Sequence, residues 1–141
     1  MMYQLIEFFS NHIILFTTFI ILLFMILSLE FNNITKKYKS LSYQELTKMI
    51  NQSKITLIDL RGNDEFVKGH IVDSMNVTLD KINQSKIDKK KPIITYSTSE
   101  ADAINAAKEF VRKGFNDVYY LEGGLQSWVE NNMPLVSENK K

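Results

Sequence analysis

Hydrophobic and polar positions divide this chain in two. Residues 8–29, FFSNHIILFTTFIILLFMILSL, contain no Asp, Glu, Lys or Arg, and Glu7 and Glu30 bracket them. At about 1.5 Å per helical residue, such a run crosses a hydrocarbon core of roughly 30 Å. The run is apolar on every face, which argues against a buried helix of a soluble domain. Thr17 and Thr18 are tolerable there, because a helical hydroxyl bonds a carbonyl one turn back. A cleaved signal peptide fits poorly: no Lys or Arg precedes the run, and no small-residue cleavage site follows it. Residues 1–30 are therefore expected to form one transmembrane helix.

Beyond residue 30 the apolar residues come in short runs between polar stretches. Phe31–Lys39 is polar, with Lys36, Lys37 and Lys39, and reads as a basic juxtamembrane linker. Ser42 and Glu45 have the spacing of a capping box, followed by a helix with Leu46, Met49 and Ile50 inward. Strands are expected over Ile55–Leu60, Ser74–Val77, Pro92–Tyr96 and Val118–Leu121. Helices are expected over Asp64–Lys68, stopped at Gly69, over Ser97–Phe110 before Gly114, and from Gly123-Gly124 to Pro134. The last should turn Leu125, Trp128 and Val129 inward. Residues 80–91, DKINQSKIDKKK, read as a solvated connection. Short strands alternating with helices imply an α/β fold, a parallel sheet flanked by helices. The domain is placed at residues 40–136, with a disordered tail at 137–141.

Charge sets the surroundings. Every charged residue except Glu7 lies beyond residue 29, which leaves 17 basic against 15 acidic side chains there. Such a balance argues against nucleic acid as a partner. Lysines gather on the cytoplasmic side of a membrane helix. None precedes the apolar run and three follow it, so the N-terminus is expected outside and the domain in the cytoplasm, at the plasma membrane. The lysines also favour anionic headgroups.

Several motifs now join. Asp59-x-Arg61, Glu65-Phe66, Gly69-His70-Ile71 and Asn76 resemble the first signature of rhodanese-like domains. Gly114-Phe115, Val118 through Gly124, Trp128 and Pro134-Leu135 resemble the closing segment of that family. The order and spacing cover about residues 40–136. With the preceding apolar run, the chain resembles single-pass, membrane-anchored rhodanese-like proteins of bacteria. The resemblance implies a strand ending in a catalytic cysteine, and a six-residue loop whose backbone N–H groups cradle sulfur and anion.

This chain has no cysteine. Serine, Ser97, stands at the nucleophile position, and the loop is Ser97, Thr98, Ser99, Glu100, Ala101 and Asp102. The family commonly places glycine where Glu100 stands and arginine where Asp102 stands. A serine hydroxyl is hardly ionised near neutral pH and carries no transferable sulfur. Two carboxylates at a helix start repel the anion that such a start attracts. No catalytic residue, cofactor or metal ligand is therefore expected. A Ser97–His70 hydrolytic pair lacks a Gly-x-Ser-x-Gly elbow; Ser97 is read instead as a helix cap and His70 as bonding a backbone group. Asp59 and Arg61 are read as an internal charge network.

Three functions are open on this reading. The first, which the loop charge favours, is an inactive module that binds a partner protein at the cytoplasmic face of the membrane. Another is an accessory subunit of a sulfur-transfer system whose partner supplies the cysteine. The last is a passive anchor working through its membrane helix.

Overall fold

The computed structural model describes residues 1–34, 37–52 and 54–138. Lys36 and the tail residues 139–141 thus lie outside the described residues. The chain forms two compact units, Met1–Lys36 and Lys37–Lys141.

In the first unit α1 (Met2–Asn11) is followed by α2 (Ile13–Ile34). The break between them falls at His12, with φ −122° and ψ 36°. The expected single helix over 1–30 is thus two helices, and the second runs past Glu30 to Ile34. Among the described residues α2 is the one helix long and apolar enough to cross a membrane, over Ile13–Phe31. None of that surface is buried against protein; a signal sequence near an N-terminus meets the same test. Thr17 and Thr18 donate to the carbonyls of Ile13 and Ile14 at 2.9 and 2.7 Å, so neither hydroxyl is left unpaired.

The second unit is a five-stranded parallel sheet in the order β1-β5-β4-β2-β3. Its strands are β1 (Tyr38–Leu41), β2 (Thr56–Asp59), β3 (Ser74–Asn76), β4 (Ile93–Tyr96) and β5 (Val118–Leu121). The connections carry α3 (Tyr43–Gln52), α4 (Asn63–Lys68), α5 (Glu100–Arg112) and, after β5, α6 (Gly124–Glu130). Alternate strand residues face opposite sides. Ile58 and Ile93 pack with Ala103, Ala106, Ala107 and Phe110 of α5. Leu57 and Ile94 pack on the other face with Leu46 of α3 and with Leu125 and Trp128 of α6. Helices on both faces leave β4 buried at all four positions, as a central parallel strand requires.

The capping box forms as the spacing predicts. The Ser42 N–H donates to the Glu45 carboxylate at 2.9 Å, and the Glu45 N–H to Ser42 Oγ at 3.3 Å. These bonds to the charged form lower the Glu45 pKa. Four expectations are corrected. Tyr38 and Lys39, read as linker, begin an edge strand paired with β5. Residues 80–84, read as part of a solvated connection, belong to a 3-10 helix over Leu79–Gln84 that buries Ile82 against α5. Val129 is 49% exposed rather than inward, because α6 is two turns long and only Leu125 and Trp128 fall on its sheet side. Glu138, placed in the disordered tail, donates its N–H to the Val67 carbonyl at 3.1 Å.

Candidate functional site

In a parallel sheet all strands end at the same edge, and the loops beyond that edge form the site. β4 is central, and Ser97 follows its last residue. Ser97 is buried, whereas Thr98, Ser99 and Ala101 are exposed and Glu100 and Asp102 half-buried. Ser97 does not cap α5. The helix begins at Glu100, and Ser99 sits at the cap position without a side-chain bond. The backbone N–H groups from Thr98 to Asp102 have no acceptor among the described residues. Such open N–H groups are what any helix start presents.

Two contacts fix this loop. The first is backbone. Gly123 and Gly124 turn from β5 into α6 with φ of 73° and 63°. That turn lets the Leu125 N–H donate to the Ser97 carbonyl at 2.9 Å. A Cβ on Gly124 would stand 2.7 Å from the Ser97 carbonyl oxygen and 2.9 Å from that of Thr98, so only glycine fits. The second contact belongs to Glu100, whose carboxylate accepts the Gly123 N–H at 3.1 Å. Glu100 therefore pins the β4–α5 loop to the β5–α6 turn. Burial, and then the Glu100 charge, raises the pKa of Tyr120 on β5.

Beside the loop, β2 ends in a charge network. Arg61 Nη2 lies 2.7 Å from Asp59 Oδ2, and Arg61 Nε donates to both carboxylate oxygens. The same Nη2 donates to the Gly69 carbonyl at 2.6 Å. Burial disfavours the guanidinium charge, but the Asp59 bonds and charge outweigh it and raise the Arg61 pKa. Asn76 Nδ2 donates to the carbonyls of Asp59 and Arg61 at 3.2 and 2.7 Å. Three of the motif residues thus brace the turn after β2 as an internal network.

His70 makes no hydrogen bond to Ser97 among the described residues. Its ring stacks on Phe66 at 3.8 Å, and Nδ1 lies 2.7 Å from the Phe66 carbonyl. A carbonyl only accepts, so Nδ1 carries a proton. Its main chain pairs with Val136. Tyr96 is a residue that the motifs did not single out. Its ring is fully buried, and its hydroxyl accepts the Ile71 N–H at 3.2 Å and meets Ser74 Oγ at 2.9 Å. Burial above all raises its pKa far beyond the ordinary phenol range. The bonds to Ser74 and Ile71 oppose that shift, and the Asp59 charge adds to it. A tyrosine as the last residue of a buried strand was the available signal.

The rhodanese-like domain model matches residues 42–131. The chain belongs to the rhodanese-like family. Among its relatives, the rhodanese-like chain is 32% identical over 140 residues to the uncharacterized protein YibN of Escherichia coli K12, covering 96% of this chain and 98% of YibN. It is 34% identical over 145 residues to the uncharacterized protein BU052 of Buchnera aphidicola subsp. Acyrthosiphon pisum, covering 99% and 100%. Thiosulfate sulfurtransferase GlpE of Coxiella burnetii is 29% identical over 105 residues, 73% of this chain and 97% of GlpE. A solved structure of similar fold is a rhodanese-related protein from Thermoplasma volcanium, with TM-score 0.64, 25% identity, and coverage of 70% and 98%. Another is the polysulfide-sulfur transferase homodimer of Wolinella succinogenes, with TM-score 0.60, 28% identity, and coverage of 72% and 80%. Coverage of YibN and BU052 is too complete to leave out the N-terminal apolar segment.

Proposed function

We propose that this protein is a single-pass inner-membrane protein whose rhodanese-like domain is catalytically silent and binds a partner protein at the cytoplasmic face. The observation that carries this reading is Ser97 at the end of β4 in a chain without cysteine. Persulfide chemistry needs a thiolate nucleophile. The loop presents open N–H groups but holds Glu100 and Asp102 in the first turn of α5, where an anionic donor meets repulsion. A surface shaped but not reactive is suited to recognition. The N-terminal segment, shared in extent with YibN and BU052, supports the anchor.

The test has two arms on the full-length protein in membranes. Incubation with thiosulfate or polysulfide should give no adduct of about 32 Da, the mass of one added sulfur. A photocrosslinker at Thr98 should capture a defined membrane-associated protein. A stoichiometric adduct or measurable turnover overturns silence. Capture of a protein that itself carries a persulfide on cysteine moves the reading to an accessory subunit of sulfur transfer.

A further inference from the structure

All five strands run in one direction, so the sheet has an entry end and an exit end. The two ends differ in charge. The segments leading into strands carry Lys37 before β1, Lys54 before β2, Lys89, Lys90 and Lys91 before β4, and Lys113 before β5. All of these are exposed except Lys113, which is half-buried. Three of the connections thus add lysines to the same end as the 89–91 run. Their acidic companions are Asp73, Asp88 and Asp117. The exit end is opposite in sign, with Glu45, Asp64, Glu65, Glu100, Asp102 and Glu122 following strands.

The basic end is built and not merely a solvated run. Lys89 Nζ donates to the Lys113 carbonyl at 2.7 Å, and Lys113 Nζ to that of Ile82. These bonds tie the strand-entry loop to the end of α5. Lys54 and Lys91 rim a hollow of about 260 Å³ floored by Ile55, Leu57 and Val72, with Asp73 in its wall. Cationic rims around a small apolar floor match the boundary between lipid headgroup and glycerol.

We infer that the strand-entry end of the sheet docks on the anionic lipid surface in which α2 is anchored, and so turns the Ser97 loop away from the bilayer. This rests on α2 being a membrane span. Charge complementarity selects the ligand chemistry. The tether selects the end: Tyr38 is four peptide steps from Ile34, and these reach at most about 14 Å when extended. β1 starts at the basic end, so that end cannot travel far from the surface where α2 emerges. The acidic end faces the aqueous phase, where a partner reaches Glu100 and Asp102.

The absence of cysteine makes the test clean. Single cysteines at Asn116 (entry end), Thr98 (exit end) and Leu22 (within α2) take a fluorophore in the full-length protein. The labelled protein is reconstituted into phosphatidylcholine vesicles with or without phosphatidylglycerol, carrying nitroxide on headgroups or acyl chains. The Asn116 label should be quenched by headgroup nitroxide more strongly when phosphatidylglycerol is present, and Thr98 in neither case. Charge reversal of Lys89, Lys90 and Lys91 to Glu should lower the docked fraction at least about tenfold. Leu22 should be quenched by acyl-chain nitroxide in both vesicles. If Leu22 is quenched and Asn116 is insensitive to lipid charge, docking is wrong and the anchor stands. Quenching at Thr98 in place of Asn116 also overturns it. An unquenched Leu22 removes the anchor, and docking with it.

Discussion

A hydroxyl in place of a thiol at Ser97 removes both the nucleophile and the sulfur carrier. The surrounding residues decide whether one substitution restores them. Glu100 and Asp102 stand in the first turn of α5, and a thiolate beside carboxylates has a raised pKa. Each unit of elevation lowers the thiolate fraction about tenfold at a pH below the pKa. Ser97→Cys alone should therefore transfer sulfur from thiosulfate at least about tenfold more slowly than Ser97→Cys combined with Glu100→Gly and Asp102→Arg. Steady-state cyanide assays compare the two; equal rates would show that loop charge is irrelevant. Tyr96 sets a second expectation. Its folded pKa is raised, so the unfolded phenol ionises first. The stability that Tyr96 contributes is full below about pH 10, the unfolded value, and is lost as pH rises from there toward the folded pKa. Tyr96→Phe removes the bonds to Ile71 and Ser74, at a cost of about 1–3 kcal/mol at pH 8. That penalty should shrink above about pH 10, as measured by urea unfolding of both proteins across the range. A penalty independent of pH would contradict the burial of the hydroxyl.

At the scale of elements, the close approach of two turns organises the site. Gly124→Ala places a Cβ 2.7 Å from the Ser97 carbonyl at a φ of 63°. The backbone must move or strain, at a cost of about 1–3 kcal/mol. At Gly62 an added Cβ meets nothing within 4 Å, and φ is −61°. Gly62→Ala should stay within about 0.5 kcal/mol of the parent. Thermal unfolding of the pair separates the specific approach from a general intolerance of side chains. Legibility in the sequence followed the same logic. Core strands and α5 were readable because Ile93–Tyr96 is wholly buried and Ala103, Ala106, Ala107 and Phe110 repeat at helical spacing. β1 was not, because it is an edge strand in which Leu41 alone is buried, so its composition is that of a loop. Ile82 and Ile87 are two isolated apolar residues in a polar run, and the burial of Ile82 depends on α5 lying over it. The loop from Ser97 to Asp102 was located by motif. The bond from Gly123 to Glu100 was not, since it spans 23 residues and exists only because β5 lies beside β4.

For the whole molecule, the central question is on which side of the membrane the domain lies. The chain has no Lys or Arg before its apolar run and Lys36, Lys37 and Lys39 after it. Positive residues resist translocation, so the Ser97 loop should face the cytoplasm. A cleaved signal sequence predicts the opposite: a shortened protein outside the cytoplasm. Protease added to intact spheroplasts should leave the domain whole, and the same protease should digest it once the membrane is opened. The mass of the membrane-derived protein should include the apolar segment before the domain. Digestion in intact spheroplasts would reverse the topology. Loss of the first thirty residues would replace the anchor by a leader. Either result would exclude a cytoplasmic partner at the membrane, whereas protection with that segment retained leaves the exit end of the sheet accessible to cytoplasmic proteins.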